Sequence, residues 1–148
     1  MSSKQTLHIF GGRRKGNVIA DLFGLDEIGS PVAGEVKMTH KGPWYATVEC
    51  AAQVVLMRGD RKGLRKYLRG KLGEKLRAKG AWGIVVAPPK YYERKQAELT
   101  KVKKLIERLQ KNTEVRICCV SFEPSAADGE VVSLRVECGR PPLTRIPK

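Results

Sequence analysis

The stretch that decides the fold is residues 17–39, NVIADLFGLDEIGSPVAGEVKMT. Two runs of apolar and β-branched residues flank LDEIGSP, whose Asp, Gly, Ser and Pro are typical of a turn. We therefore predict a β-hairpin that closes around residues 27–30. Asp21 lies on its first arm, and Glu35 and Lys37 lie on its second.

The two arms predict a small polar patch on one face of the sheet. Alternate strand residues face the same side, so Glu35 and Lys37 point together and Val36 points away. In this hairpin Asp21 lies across from them. Placing like charges together and burying polar groups costs free energy unless another group compensates for it. A bound divalent cation would provide this compensation. A salt-bridged hairpin without metal is the alternative.

Composition favours a basic globular protein with a polyanionic partner. The 148 residues suit one domain, 1–148, with its core in residues 17–122 and an edge strand and basic tail in residues 123–148. The 29 Lys and Arg exceed the 15 Asp and Glu, giving a net charge of +14. Such a charge indicates nucleic acid more readily than it indicates a fold, although a merely solvated basic surface would also produce it.

Other features of the sequence bear on the cellular compartment of the protein. No apolar run reaches the ~18 residues of a membrane span, so we expect no membrane partner. MSSKQTLHIFGG lacks the apolar core and cleavage site of a signal peptide. The four cysteines, which lack zinc-site spacing, are expected to be buried apolar residues: Cys50, Cys118, Cys119 and Cys138. Together these features favour a cytoplasmic, reducing compartment.

Periodicity predicts the remaining elements. A short strand is expected at residues 5–10, where His8 is interpreted as structural. A helix is expected from Tyr45 to residue 59, and one or two short basic helices within residues 60–80. A buried strand at 82–87, a helix over 92–112, a buried strand at 115–122 and an edge strand at 131–138 follow. For the first long helix the spacing predicts a buried stripe of Val48, Ala51, Ala52, Val55 and Leu56. The fold class is therefore α/β, a mixed central sheet flanked by helices.

This order and these residues resemble the PD-(D/E)xK nuclease superfamily. Asp21 precedes the Glu35-Val36-Lys37 triplet by fourteen residues and a short turn, and Gln53 follows on the next helix. The resemblance covers roughly residues 17–122 and implies a restriction-endonuclease-like core. Members often carry a further acidic residue on an initial helix. Here the sixteen residues before the hairpin contain no Asp or Glu, so Glu49 supplies this group, the site lacks it, or the first metal is held more weakly.

The resemblance implies phosphodiester hydrolysis with Mg²⁺ or Mn²⁺. Asp21 and Glu35 would be metal ligands, with the Val36 carbonyl a further ligand and Glu49 an outer one. Lys37 would touch the attacking water or stabilise developing negative charge, and Gln53 would orient water or phosphate. The catalytic residues are thus Asp21, Glu35, Lys37 and Gln53.

Basic residues near the hairpin are candidate phosphate contacts. Contacts of this type give affinity without sequence specificity, and the 6% aromatic content argues against a stacking platform for single strands, so duplex or branched DNA is the preferred substrate. His40 is included as a phosphate contact, although a solvated loop histidine is its plainer interpretation. The candidates are Arg13, Arg14, Lys15, His40, Lys41, Lys62, Arg65, Lys66, Arg69 and Lys71.

Three functions stay open at this point. The first is a metal-dependent nuclease that acts on DNA rather than RNA, which would need a homodimer or two events to cut both strands. The second is an inactive nuclease-fold subunit that binds nucleic acid within a larger assembly. The third is a basic protein-interaction adaptor.

Overall fold

The computed structural model describes residues 7–9, 18–26, 28–38, 41–67, 75–76, 80–124 and 131–140. The strands are β1 (Leu7–Ile9), β2 (Val18–Ala20), β3 (Leu22–Leu25), β4 (Pro31–Val36), β5 (Ala81–Ala87), β6 (Val115–Pro124) and β7 (Val131–Cys138). The helices are α1 (Pro43–Gly59), α2 (Arg61–Tyr67), α3 (Pro89–Glu93) and α4 (Gln96–Asn112).

The predicted hairpin is confirmed, and its turn is held by Asp26. The Asp26 carboxylate accepts hydrogen bonds from the backbone N–H groups of Ile28 (3.0 Å) and Ser30 (2.8 Å). Gly29 has a φ of +84°, which glycine adopts at little cost. The first arm, however, is two strands rather than one, because the chain bends at Asp21 between β2 and β3. β2 pairs antiparallel with β1, whereas β3 pairs antiparallel with β4.

The main sheet has five strands in the order β3-β4-β5-β6-β7. β4, β5 and β6 run parallel, and the outer strands β3 and β7 run antiparallel to their neighbours. The predicted edge strand at residues 131–138 is therefore confirmed. α1 contacts β4, β5 and β6 and also contacts α4, so both long helices cover the same face of the sheet. The chain is thus α/β, with a mixed open sheet and helices, as predicted.

The buried face of α1 differs from the predicted one. Val48 and Val55 are exposed, Ala52 is exposed, and Ala51 and Leu56 are only partly buried. The helix is apolar around most of its circumference, so periodicity could not select one side. The residues that face the sheet are Ala46, Thr47, Cys50, Gln53, Val54 and Met57.

α1 packs unusually close to β5. A Cβ at Gly83 would lie 2.5 Å from the Cys50 sulfur and 2.9 Å from Cγ2 of Val54, distances that real Cβ atoms essentially never show. Glycine at this position therefore allows the helix to rest directly on the strand. All four cysteines are buried, as predicted.

The single helix predicted over residues 92–112 is also wrong in its first turn. The chain forms α3, leaves helical geometry at Lys95 (φ −133°, ψ 43°) and re-enters a helix as α4. The break turns Tyr91 and Tyr92 inward, and the Tyr92 hydroxyl lies within hydrogen-bonding distance of the Val85 (2.8 Å) and Val120 (3.0 Å) carbonyls. The buried residues of α4 are Leu99, Val102 and Ile106, whose three- and four-residue spacing places them on one helix face.

Candidate functional site

Asp21 reaches β4 where the β3–β4 ladder ends. The last backbone pair between β3 and β4 is Leu22 with Gly34. Beyond this pair, the side-chain carboxylate of Asp21 accepts a hydrogen bond from β4 where a backbone carbonyl would otherwise do so. Its Oδ2 accepts a hydrogen bond from the Val36 N–H at 2.9 Å. In a strand the N–H and C=O of one residue point toward the same neighbour, so the Val36 carbonyl also lies on the Asp21 side. The predicted ligands Asp21 and Val36 are therefore neighbours.

Glu35 is a buried carboxylate, with 3% of its surface exposed. Gln53 Nε2 donates a hydrogen bond to one of its oxygens, Oε1, and Lys37 Nζ lies 3.0 Å from the other, Oε2. The sequence prediction that Glu35 and Lys37 share a face is thus confirmed. Burial raises the pKa of Glu35, and the hydrogen bonds from Gln53 and Lys37 only partly offset it, while the charges of Asp21 and Glu49 raise it further.

Lys37 bridges the two glutamates of the site. Its ammonium lies 2.9 Å from Glu49 Oε2 and 3.0 Å from Glu35 Oε2. Burial by itself would lower the pKa of Lys37, but the hydrogen bonds and charges of Glu49 and Glu35 outweigh it and raise the pKa. Lys37 therefore carries its proton throughout the neutral range. We refer to Asp21, Glu35, Lys37, Glu49 and Gln53 as the Glu35 cluster.

The position of α1 sets the position of Glu49 and Gln53. Its N-cap, Gly42, has no side chain to satisfy the first N–H groups. Glu98 of α4 supplies the missing acceptor, because its Oε1 accepts a hydrogen bond from the Trp44 N–H at 3.2 Å. With Gly83 beneath the middle of the helix, α1 is fixed at two places along its length.

The donor set of the Glu35 cluster suits a hard divalent cation. Asp21, Glu35 and the Val36 carbonyl offer only oxygen, and Mg²⁺ commonly uses one or two carboxylates together with waters and substrate phosphate. Both Glu35 oxygens already accept one hydrogen bond, but each carboxylate oxygen has capacity for a second partner. Within the part of the chain that the structure describes, no three or more His, Cys, Asp or Glu side chains form a ready-made metal site.

Of the predicted nucleic-acid contacts, the four that the structure describes lie at the two ends of α1. Lys62, Arg65 and Lys66 lie on α2, beyond the C-terminal end of α1 and away from the Glu35 cluster. Arg65 has a structural contact, because its Nη2 donates a hydrogen bond to the Leu76 carbonyl at 3.2 Å. Lys41 lies just before α1, next to the cluster. Six of the candidates lie outside the described residues: Arg13, Arg14, Lys15, His40, Arg69 and Lys71.

A cationic cleft next to the cluster was missed by the sequence analysis. It has a volume of about 540 Å³ and lies where β4 and β5 end. Its walls include Met38, Pro88 and Tyr91, and its charged residues are Lys41, Lys90, Arg94 and Lys95. The sequence predicts residues 92–95 as the start of a long helix, so only the topology brings Arg94 and Lys95 to Lys41. We call this feature the Lys41 cleft.

In comparisons with known proteins, no family model, curated protein or solved structure matches the chain. In the described ranges, no helix has the length and apolar character needed to cross a bilayer.

Proposed function

We propose that this chain is a metal-dependent nuclease that hydrolyses phosphodiester bonds in DNA, with a PD-(D/E)xK-like site on a restriction-endonuclease-like core. One observation carries the proposal: Asp21 before β3 and Gln53 on α1 meet Glu35 and Lys37 at the end of β4. Glu35 is buried although burial disfavours its charge. Perturbed carboxylates of this kind are concentrated at functional sites.

The element order adds support to the proposed core. An antiparallel hairpin that carries the acids leads into α1, and β5 then returns parallel to β4. This is the order that the resemblance implies, and Gln53 lies on the inner face of α1 as it implies.

The chain's own residues have separable roles in this chemistry. Asp21, Glu35 and the Val36 carbonyl would hold Mg²⁺ or Mn²⁺, which would supply polarisation of a phosphoryl oxygen and a lowered pKa of bound water. Lys37 stays protonated, so it stabilises negative charge on the phosphate rather than acting as the general base. Gln53 fixes the orientation of Glu35 through its amide. Glu49 holds the Lys37 ammonium in place.

A second candidate is a nucleic-acid-binding subunit without catalysis. The observation that favours it is the position of Lys37 Nζ, about 3 Å from both glutamates, where its charge offsets part of theirs without a metal. In this candidate the cluster is an ion-pair network, and the net charge of +14 supplies the affinity for nucleic acid.

Cleavage assays separate the two candidates. Plasmid and branched DNA are incubated with the protein in Mg²⁺ or Mn²⁺, beside Glu35→Ala and Lys37→Ala. We expect wild-type cleavage and a loss of at least about a hundredfold in both variants, the scale seen when one electrostatic stabiliser is removed. Glu107→Ala, an exposed residue of α4 with the same charge change as Glu35→Ala, is the control and should cleave normally. No wild-type cleavage, or equal cleavage in all four proteins, contradicts the nuclease.

A further inference from the structure

The Lys41 cleft is charged with a single sign. Four of its described lining residues, Lys41, Lys90, Arg94 and Lys95, are cations, and none of the lining residues that the structure describes is acidic. All four are exposed, so their charged groups can reach a ligand. Among the described residues none of the four takes part in an ion pair, whereas Lys37 and Arg58 do. A concave surface with one sign of charge concentrates counter-ions, and here it selects anions.

The backbone at Lys41 is held in an uncommon conformation. Lys41 has a φ of +56°, which costs free energy for a residue with a side chain. Two tyrosines hold it there. The buried Tyr91 donates its hydroxyl hydrogen bond to the Lys41 carbonyl. Lys41 Nζ lies 3.1 Å from the Tyr45 hydroxyl and 4.1 Å from the centre of the Tyr45 ring. Both the strained backbone and its cation are thus fixed before any ligand arrives.

The cleft begins next to the Glu35 cluster, because its lining residue Met38 directly follows Lys37. The Lys37 N–H donates to the Val86 carbonyl at 2.9 Å, and the cleft residues Met38 and Pro88 follow these two residues just beyond the ends of β4 and β5. Lys41 follows Lys37 by four positions along the chain, a reach of at most about 14 Å. Nucleic-acid strands advance about 3.4 Å for each phosphate, so this span covers roughly two to four nucleotides.

We propose that the Lys41 cleft binds backbone phosphates of a nucleic-acid strand a few nucleotides away from the phosphate at the Glu35 cluster. The position of the strand rests on the proposed nuclease function, but binding at the cleft does not require cleavage. Arg94 supplies a planar fork suited to phosphate oxygens, and the lysines supply point charges. The cleft offers no exposed aromatic face among its lining residues for base stacking, so the contact carries affinity and register rather than sequence preference.

The test measures binding in EDTA, where no metal-dependent cleavage occurs. A fluorescently labelled DNA duplex is titrated with wild type, with Lys90→Ala/Arg94→Ala and with Lys104→Ala/Lys111→Ala, across a series of salt concentrations. Lys104 and Lys111 are exposed on α4 outside the cleft, so this control removes the same charge. Each lost phosphate contact should weaken binding by roughly tenfold near 0.1 M salt, and losing two should lower the salt slope by about 1.8.

Three outcomes decide the inference. A loss of affinity and slope in the cleft variant, beyond that of the control, supports it. Equal behaviour of the two variants overturns it. Competition by polyglutamate as strong per charge as competition by unlabelled DNA also overturns it, because the cleft would then be a site for acidic protein.

The outcomes for the cleft and for catalysis are independent. Cleft-dependent binding by a protein that cleaves nothing keeps the inference and rejects the nuclease. Cleavage that depends on Glu35, together with binding that is insensitive to Lys90 and Arg94, keeps the nuclease and rejects the inference on the cleft. Circular dichroism of both double variants checks that the substitutions leave the fold intact. An intact fold is expected because all four replaced side chains are exposed.

Discussion

Replacing Gln53 with leucine tests whether the Glu35 carboxylate is held ready for a cation. Gln53 is fully buried, and its amide donates to Glu35 Oε1. Leucine keeps most of the volume but offers no hydrogen. A hydrogen bond to a charged group contributes about 1.5–3 kcal/mol, so the ionised form of Glu35 should be disfavoured by that amount. Because a metal ligand must first lose its proton, the substitution should weaken metal binding through protonation.

The size of the effect depends on pH. At a pH where Glu35 is mostly ionised in both proteins, their Mn²⁺ affinities should be similar. At lower pH the proton competes, and apparent affinity should fall tenfold for each pH unit once Glu35 is mostly protonated. There the variant should bind Mn²⁺ roughly ten- to a hundredfold more weakly than wild type, the ratio that corresponds to 1.5–3 kcal/mol. The midpoint of its pH dependence should move upward.

Mn²⁺ titrations followed by electron paramagnetic resonance, at a series of pH values, measure this directly. Met57→Leu is the matched control, because Met57 is buried on the same helix face and the swap conserves volume. A midpoint that is unchanged in Gln53→Leu, or that moves as far in Met57→Leu, would refute the reasoning.

Metal-free stability gives a second measurement with a definite sign. Burial raises the pKa of Glu35 above its ordinary value of 4.5, so the folded state holds a proton that the unfolded state releases. The stability linked to Glu35 is therefore complete below pH 4.5 and is lost as pH rises through the folded-state pKa. In EDTA, the free energy of unfolding measured in urea should fall more with rising pH in Gln53→Leu than in wild type. In Glu35→Gln this pH-dependent loss should disappear.

Two further substitutions test how α1 is held. Gly83→Ala should destabilise the fold by about 1–3 kcal/mol in urea unfolding, since its Cβ would overlap Cys50 and Val54. Gly80→Ala, whose Cβ meets nothing within 4 Å, is its control, and an equal effect would contradict close helix–strand packing. Glu98→Ala should cost about 0.5–2 kcal/mol through loss of the acceptor for the Trp44 N–H. Glu107→Ala should cost little, and equal losses in both would mean that Glu98 does not cap the helix.

The hairpin and the convergence on Glu35 could be predicted because their causes are local. Strand alternation places Glu35 and Lys37 on one face in any hairpin of this register, and Asp26 and Gly29 specify a turn that fixes the register. To predict that Gln53 lies on the helix after the hairpin, only the order of the elements was required.

Other features depended on tertiary contacts that periodicity does not contain. Val48 and Val55 are as apolar as Cys50 and Val54, so the orientation of α1 was decided by Gly83 and by the glutamate on the neighbouring strand. The break before α4 follows from the buried hydroxyl of Tyr92, whose partners lie on β5 and β6. The Lys41 cleft joins residues about fifty positions apart, which meet only because β4 and β5 are parallel.

The energetics of the Glu35 cluster argue against stability as its purpose. Replacing a buried ion pair by apolar side chains of similar volume is often neutral or stabilising, so a core needs no carboxylate at this position. The cluster instead combines a buried Glu35 whose charge is disfavoured with a Lys37 that stays protonated. Glu98 and Gly83 fix the helix that carries Gln53, which orients the carboxylate. The proposed binding of a cation and a phosphate would account for an arrangement that packing alone would not favour.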